Sequence, residues 1–346
     1  MKYFQNNLKL TISGKSHDAF ITLCCENVPE LAIDYDLINQ NLAKRRGIDY
    51  LSTPRREPDR YEIIQKDGKI TIIVYNEDII DQPFDGLVRP GHADLVQLEK
   101  YQDEEMIKGG GIASGRLTAP IVILGSLFAP YLMKKGLIVK SFIEKIGSVE
   151  LPNVYYDDIF AKDEDYISHT NDEYKDKIEE EIMKAKAKND SIDGLVKTFI
   201  KCPIIGLGEP FFNSFESIMA HLLFSIPAIN GIAFGDAFKN IHFGSSYNDE
   251  PYYENNQLKY RSNHSGGING GLSNSNYICF TSSIRPTSSI GITQKTINYL
   301  TKENAEIKIN GRNDPCIVPR VSHVISAVSY IALMDLLLEG DELWIN

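Results

Sequence analysis

Arginine is the side chain whose placement says most about chemistry in this sequence. All eleven arginines fall within 45–116 or 261–320, and none lies between 117 and 260, where lysine carries the positive charge. A guanidinium fork grips carboxylate or phosphate through two parallel hydrogen bonds, whereas lysine is a point charge common on any surface. The arginines stand beside Gly/Ser/Pro loops that also carry His and Asp. These are Ser13-Gly14-Lys15-Ser16-His17, Arg89-Pro90-Gly91-His92-Ala93-Asp94, Gly109-Gly110-Gly111 leading to Ser114-Gly115-Arg116-Leu117-Thr118, and Asn263-His264-Ser265-Gly266-Gly267 with Gly270-Gly271. Two more follow, Arg285-Pro286-Thr287-Ser288-Ser289 and Gly311-Arg312-Asn313-Asp314-Pro315-Cys316. Their chemistry suits one anion pocket with titratable groups at its edge. Ordinary arginine-to-carboxylate bridges between loops are the plainer alternative.

Familiar motifs are absent. Gly14-Lys15-Ser16 ends like a phosphate loop, but that motif needs glycine at position 9, where Lys9 stands. Neither the 109–111 nor the 266–271 glycines complete G-x-G-x-x-G, and there is no H-E-x-x-H or G-x-S-x-G. Metal, serine-hydrolase and nucleotide-kinase chemistry therefore have no support. The five cysteines, at 24, 25, 202, 279 and 316, are odd in number and form no C-x-x-C, which argues against a disulfide framework or a zinc site. They fit buried small apolar residues in a reducing, cytoplasmic compartment. With 36 basic and 47 acidic residues the net charge is −11, and nucleic-acid binding needs the opposite balance.

The rest of the chain must position those loops. At roughly 150 residues per domain, 346 residues make two domains or one large one. Alternation at Leu8, Leu10 and Ile12 predicts a hairpin over 1–33, ending near Pro29. Asp34 is placed to cap a helix bearing Leu37, Ile38 and Leu42 that stops at Gly47, and Ile70–Tyr75 is a strand by composition. Residues 117–135 and 321–338 read as helices apolar nearly all round, hence covered on both sides. Pro120, Gly125 and Pro130 interrupt the first and Asp335 the second, so both are expected to be too broken to span a bilayer. Residues 171–188 form a charged helix with Ile178 and Ile182 inward, short strands return from 195, and Gly/Ser/Asn-rich loops fill 262–276. Met1–Leu10 lacks the apolar run of a signal peptide. This pattern predicts an α+β fold with helices packed between sheets, since a doubly wound sheet needs more regular alternation.

In this order the loop motifs resemble the chorismate synthase family, from about residue 8 to 338. Thr53-Pro54-Arg55-Arg56-Glu57-Pro58-Asp59, Gly206-Leu207-Gly208-Glu209-Pro210 and Ser225-Ile226-Pro227-Ala228 match as well. The resemblance implies one domain over 1–346, a β-α-β sandwich with long helices between antiparallel sheets, assembled as a homotetramer. It implies a lyase of the shikimate pathway of aromatic amino-acid biosynthesis. The reaction would be a 1,4-anti elimination of phosphate from 5-enolpyruvylshikimate 3-phosphate (EPSP) to give chorismate. Reduced FMN is required without net redox change, and NADPH or an external flavin reductase would supply the electrons. No nucleic-acid or membrane partner is implied.

Carried over by position, the resemblance makes His17 the acid near the reduced flavin and His92 the donor toward the leaving phosphate. Asp314, with Ser16, assists proton removal through flavin N5. FMN contacts fall on Ser114, Pro227, Ala228, Gly270, Arg285, Pro286, Thr287, Ser288, Ser289 and Arg312, and substrate contacts on Arg45, Arg116 and Arg320. The chemistry agrees. A phosphate and two carboxylates call for arginine, a leaving phosphate for a proton donor such as imidazole, and a flavin for amides and hydroxyls of the kind the 263–271 and 285–289 loops carry.

The sequence departs from the family pattern at several points. Lys15 and Asp18 replace a Glu and a Gly, and Ile112 and Ala113 replace Arg and Ser. Arg285 stands for Lys, Asn313 for His, and Tyr50 for a basic residue. The stretch from Ile64 to Thr71 lacks a Gly-Thr-Thr-Gly-Thr segment, from which a wetter pocket is expected. A flavin-binding or structural paralogue without the elimination is therefore the second reading. A flavin reductase comes third, because no dinucleotide fingerprint exists. Retention of His17, His92, Arg116 and Asp314 together favours the enzyme.

Overall fold

The computed structural model describes residues 2–46, 51, 57–77, 84–151, 160, 172–239, 243–309, 311 and 313–339. The chain opens with β1 (Lys2–Gln5), β2 (Lys9–Ser13) and β3 (Phe20–Glu26), a three-strand meander where a single hairpin was expected. Helix α1 (Tyr35–Arg46) follows, and Asp34 Oδ1 accepts from Leu37 N at 3.0 Å, the cap the spacing predicts; Gly47 lies outside the described residues. Strands β4 (Tyr61–Lys66) and β5 (Lys69–Tyr75) complete an antiparallel sheet of order β1-β2-β3-β5-β4. Asp67 and Gly68 join them with φ of 50° and 70°, the paired left-handed conformation that matches strand twist in a two-residue hairpin.

The helical layer comes next. Helices α2 (Asp94–Tyr101) and α3 (Thr118–Lys134) precede β6 (Ile138–Ile146), β7 (Val149–Glu150), α4 (Asp172–Ala187), β8 (Gly194–Lys201), α5 (Phe215–Leu223) and β9 (Ile229–Phe234). Two short hairpins, β10 (Pro251–Glu254) with β11 (Gln257–Tyr260) and β12 (Ile268–Asn269) with β13 (Leu272–Ser273), lead to β14 (Ile278–Ile284). The hairpin of β15 (Gln294–Asn298) and β16 (Glu303–Ile307) precedes the last helix, α6 (Val318–Glu339). The second sheet has order β7-β6-β8-β14-β9 and is also antiparallel throughout.

Apolar periodicity decides which faces meet. Ile21, Leu23 and Cys25 on β3, with Ile70, Ile72 and Val74 on β5, are all buried and face the helices. One continuous core runs from Leu23, Cys25, Ile70, Ile72 and Val74 through α1, α3, α5 and α6 into β6, β8 and β14. Helices α3 and α6 touch at Gly125, where a Cβ would stand 2.6 Å from the Ala327 Cα, so only glycine permits that approach. The charged α4 turns Ile178 and Ile182 inward, as its pattern predicts.

Length does not distinguish α3 and α6 from membrane helices, contrary to the expectation drawn from their Pro, Gly and Asp residues. Residues 115–134 and Val318–Glu339 are each long and apolar enough to cross a bilayer. Packing accounts for their apolarity instead, since 72% and 83% of their apolar stretches are buried within the protein. Asp335, fully buried in α6, accepts from Asn6 Nδ2 and Leu8 N, both at 2.7 Å, and so pins the β1–β2 turn to the helix. The five cysteines are free, and burial pushes the Cys202 and Cys316 thiols up to about 11 and about 12.

Candidate active site

The N-terminal ends of α3 and α6 converge on a cavity of about 410 Å³, within the roughly 300–1,000 Å³ range of ligand sites. Helix N-termini favour anions, and among the described residues six arginines (45, 46, 89, 116, 285 and 320) line the same cavity beside three carboxylates, Glu57, Asp59 and Asp314. A protein of net charge −11 has thus concentrated its arginines around one hole.

A turn of three glycines forms one wall. Gly109, Gly110 and Gly111 have φ of 59°, 105° and 54°, and a Cβ would drive Gly109 into His17 Nε2 and Gly111 into Met106 O. Ser16 stitches this wall to the β2–β3 loop: its N–H donates to Gly111 O at 3.2 Å and its hydroxyl to Lys108 O at 3.1 Å. His17, the next residue, faces the cavity. His92 lines it from the turn before α2, with Nδ1 2.6 Å from Asp94 Oδ1. Its Nε2 lies toward Gly110, where a Cβ would come within 3.8 Å of it and 3.3 Å of Ser114 Cβ.

Asp314 closes the far side, accepting from Arg320 Nη1 at 2.6 Å, while its carbonyl accepts from Thr287 Oγ1 at 2.9 Å. That second bond holds the 285–289 loop against the start of α6. Pro227 and Ala228 complete this rim.

The arginines expected to meet substrate are already engaged. Arg45 Nη2 donates to both Asp59 oxygens at 3.0 Å. Arg116 Nε donates to Asn76 Oδ1 at 2.8 Å, Nη2 to Tyr75 O at 2.9 Å and Nη1 to Asp59 Oδ1, with Glu57 Oε2 3.6 Å from Nε. Burial would lift the Asp59 carboxyl, but Arg45 and Arg116 hold it below its ordinary value. Burial lowers Arg45, Asp59 opposes this, and the Arg320 and Arg116 charges add to it. Arg45 Nε is buried without a hydrogen-bond partner among the described residues. Positive charge is in excess here, and an entering anion relieves it.

His17, His92, Asp314, Ser114, Pro227, Ala228, Arg285–Ser289, Arg45, Arg116 and Arg320 all line this one cavity. Two candidates do not. Ser16 is fully buried behind the wall, where its hydroxyl is committed to Lys108 O. Gly270 sits at the β12–β13 turn, in the loop anchored where Cys279 N donates to Gly266 O, whereas Arg285 follows the other end of β14. The seven residues of β14 span roughly 20 Å, so the 263–271 loop contributes nothing to the wall. Arg312 and Tyr50 lie outside the described residues, as do Thr53–Arg56.

The departures from the family pattern divide between the cavity wall and the structure around it. Lys15 Nζ stands 3.7 Å from Asp18 Oδ1, so the two replacements face each other, and neither lines the cavity. No residue of 64–71 lines it either, because the Asp67-Gly68 turn is at the opposite end of β4 from Asp59; the expected wetter pocket does not follow from the shortening. Ala113, Arg285 and Asn313 do face the cavity. Sequence reasoning passed over Arg46, Glu57, Asp59, Asn76, Arg89 and Asp94. The usable signal was that buried arginines demand carboxylate partners, and the 53–59 and 89–94 motifs contain them.

Comparison with known proteins gives the family. The family model for chorismate synthase matches residues 8–338. A chorismate synthase of Methanocaldococcus jannaschii is 34% identical over 98% of this chain and 97% of its own length. One from Acetivibrio thermocellus is 35% identical over 89% and 84%. A crystal structure of a chorismate synthase superposes with a TM-score of 0.75 at 23% identity, covering 97% of this chain and 93% of that one, which speaks for the fold. With a third of the residues shared along almost the whole of both chains, this chain belongs to the chorismate synthase family.

Proposed function

We propose that the arginine-lined cavity is where this chain, as one domain spanning 1–346, carries out its family's reaction. That reaction is the 1,4-anti elimination of phosphate from EPSP to give chorismate, a carbon–oxygen lyase step. The observation that carries the assignment of the site is the convergence of His17, His92, Asp314 and six arginines on one cavity, from motifs far apart in sequence.

Arg45, Arg116 and Arg320 bind the anionic substrate, and each is held in place by Asp59 or Asp314. His92 delivers a proton from Nε2 to the departing phosphate, which otherwise leaves as a poor, highly charged group. His17, against Gly109, is the acid on the other side of the glycine turn. Asp314, oriented by Arg320, is the acceptor that assists proton removal, and Ser16 holds His17's loop in place.

Ser114, Pro227, Ala228 and Arg285–Ser289 form a rim suited to FMN. Arg285 suits its phosphate: among the described residues it meets no carboxylate, and its Nη1 donates only to Gly91 O, at 2.9 Å. Arg312 belongs to the same group by position. When bound, reduced FMN supplies an electron-rich ring that eases C–O cleavage without net redox change. NADPH or an external flavin reductase provides the reduction, the setting is cytoplasmic, and the assembly is a homotetramer. Phe211, Phe212 and Phe238, 84–91% exposed, are the kind of surface that assembly covers.

Fluorescence quenching titrations of FMN with and without EPSP test the site. Two ligands that share the arginine cluster should couple, with FMN binding tighter by about 5–150-fold when EPSP is present. No quenching in either condition removes the assignment of FMN to this cavity.

A further inference from the structure

We propose that Asp94, clamped by Arg89, is the positioning residue that fixes the ring of His92, so that Nδ1 carries a hydrogen toward Asp94 and Nε2 is the atom that exchanges a proton in the cavity. The proposal rests on the donor role given to His92 above and deepens it by naming the group behind that role.

Arg89, His92 and Asp94 belong to one tight turn and the first residue of α2. His92 N donates to Arg89 O at 3.2 Å, Gly91 supplies a φ of 68°, and Asp94 opens the helix, where a negative charge is favoured. The Asp94 side chain is 3% exposed, and its acceptor positions are filled. Oδ2 accepts from Arg89 N at 3.1 Å and Nε at 2.7 Å. Oδ1 accepts from Arg89 Nη2 at 2.7 Å and faces His92 Nδ1 at 2.6 Å.

Burial alone would raise this carboxyl, but the His92 and Arg89 hydrogen bonds and the Arg89 charge carry it far below the ordinary carboxylate range. An ionised carboxylate can only accept. Opposite a pure acceptor, Nδ1 must bear the hydrogen, and the exchangeable position is Nε2, on the side of Gly110 and Ser114. Arg89 therefore differs from Arg285, because its charge is committed to Asp94. Arg89 Nη2 also reaches Ile107 O at 3.4 Å, tying the turn to the segment that leads into the glycine wall.

The test uses Asp94→Asn in the full chain. An amide replaces an acceptor with a donor, so the ring loses its enforced tautomer. Turnover should fall about 10–100-fold, the size of effect seen when a partner orienting a metal-bound histidine is lost, with KM for EPSP and FMN affinity unchanged. Nitrogen-15 NMR of histidine-labelled protein at alkaline pH, with His92 assigned by its loss in His92→Gln, should show the Nδ1–H form in the native chain. Wild-type kcat in Asp94→Asn overturns the proposal. So does an Nε2–H form in the native protein, a readout that stands even if the variant fails to fold. Full activity in His92→Gln would instead bring down the donor role itself, while the tautomer still decides the Asp94 contact.

Discussion

Replacing His92 or His17 with alanine lowers kcat by about 10²–10⁴-fold, the usual size of a general acid–base contribution, while EPSP and FMN still bind. Each imidazole stands at the glycine wall and touches the cavity, but neither is the main source of positive charge there. With the arginines proposed to hold the anions, removing a ring should cost proton delivery far more than affinity. Stopped-flow turnover with reduced FMN separates the two, because kcat falls and KM barely moves. A His92→Ala variant whose KM rises while kcat holds would make that ring a binding group and not a donor.

Arg116→Ala carries the second large effect, on stability as well as on turnover. Arg116 is only 6% exposed and joins Asp59, Asn76 and the Tyr75 carbonyl, with Glu57 close by. Truncation leaves buried carboxylates short of a counter-charge, a loss that typically costs about 3–5 kcal/mol. EPSP affinity should weaken by about 2–5 kcal/mol, as expected when one partner of a buried charged contact is removed. Arg116→Lys keeps the charge but not the fork, and should recover stability more than affinity. Thermal unfolding and EPSP titration read the two separately, and near wild-type kcat/KM with Arg116→Ala contradicts the placement of substrate at this guanidinium.

The elements were legible in the sequence where one local signal sufficed. Asp34 caps α1, Ile70–Tyr75 is β5, and the apolar-all-round helices are sandwiched because no face of them can meet water. Topology was less legible. The β1–β3 meander read as one hairpin because alternation marks strands and does not count turns.

At the site, arginine placement and motif order pointed to His17, His92, Asp314, Arg45, Arg116 and Arg320, which line one cavity. Gly270 does not line the cavity, because proximity in motif order says nothing about which end of β14 a loop occupies. The acidic partners were missed for a related reason. Asp59 and Asp94 carry no signature of their own, and their importance appears only once burial shows that each arginine needs an acceptor. That Lys15 and Asp18 form an ion pair was also not legible, since a pair of substitutions reads as two losses until the side chains are seen face to face.

The most direct test of the central claim is anaerobic incubation of the protein with dithionite-reduced FMN and EPSP, with released phosphate and chorismate measured together. Equimolar phosphate and chorismate, dependent on the reduced flavin, is the predicted result. Flavin binding with no phosphate release, in protein that unfolds cooperatively and titrates EPSP, would contradict it.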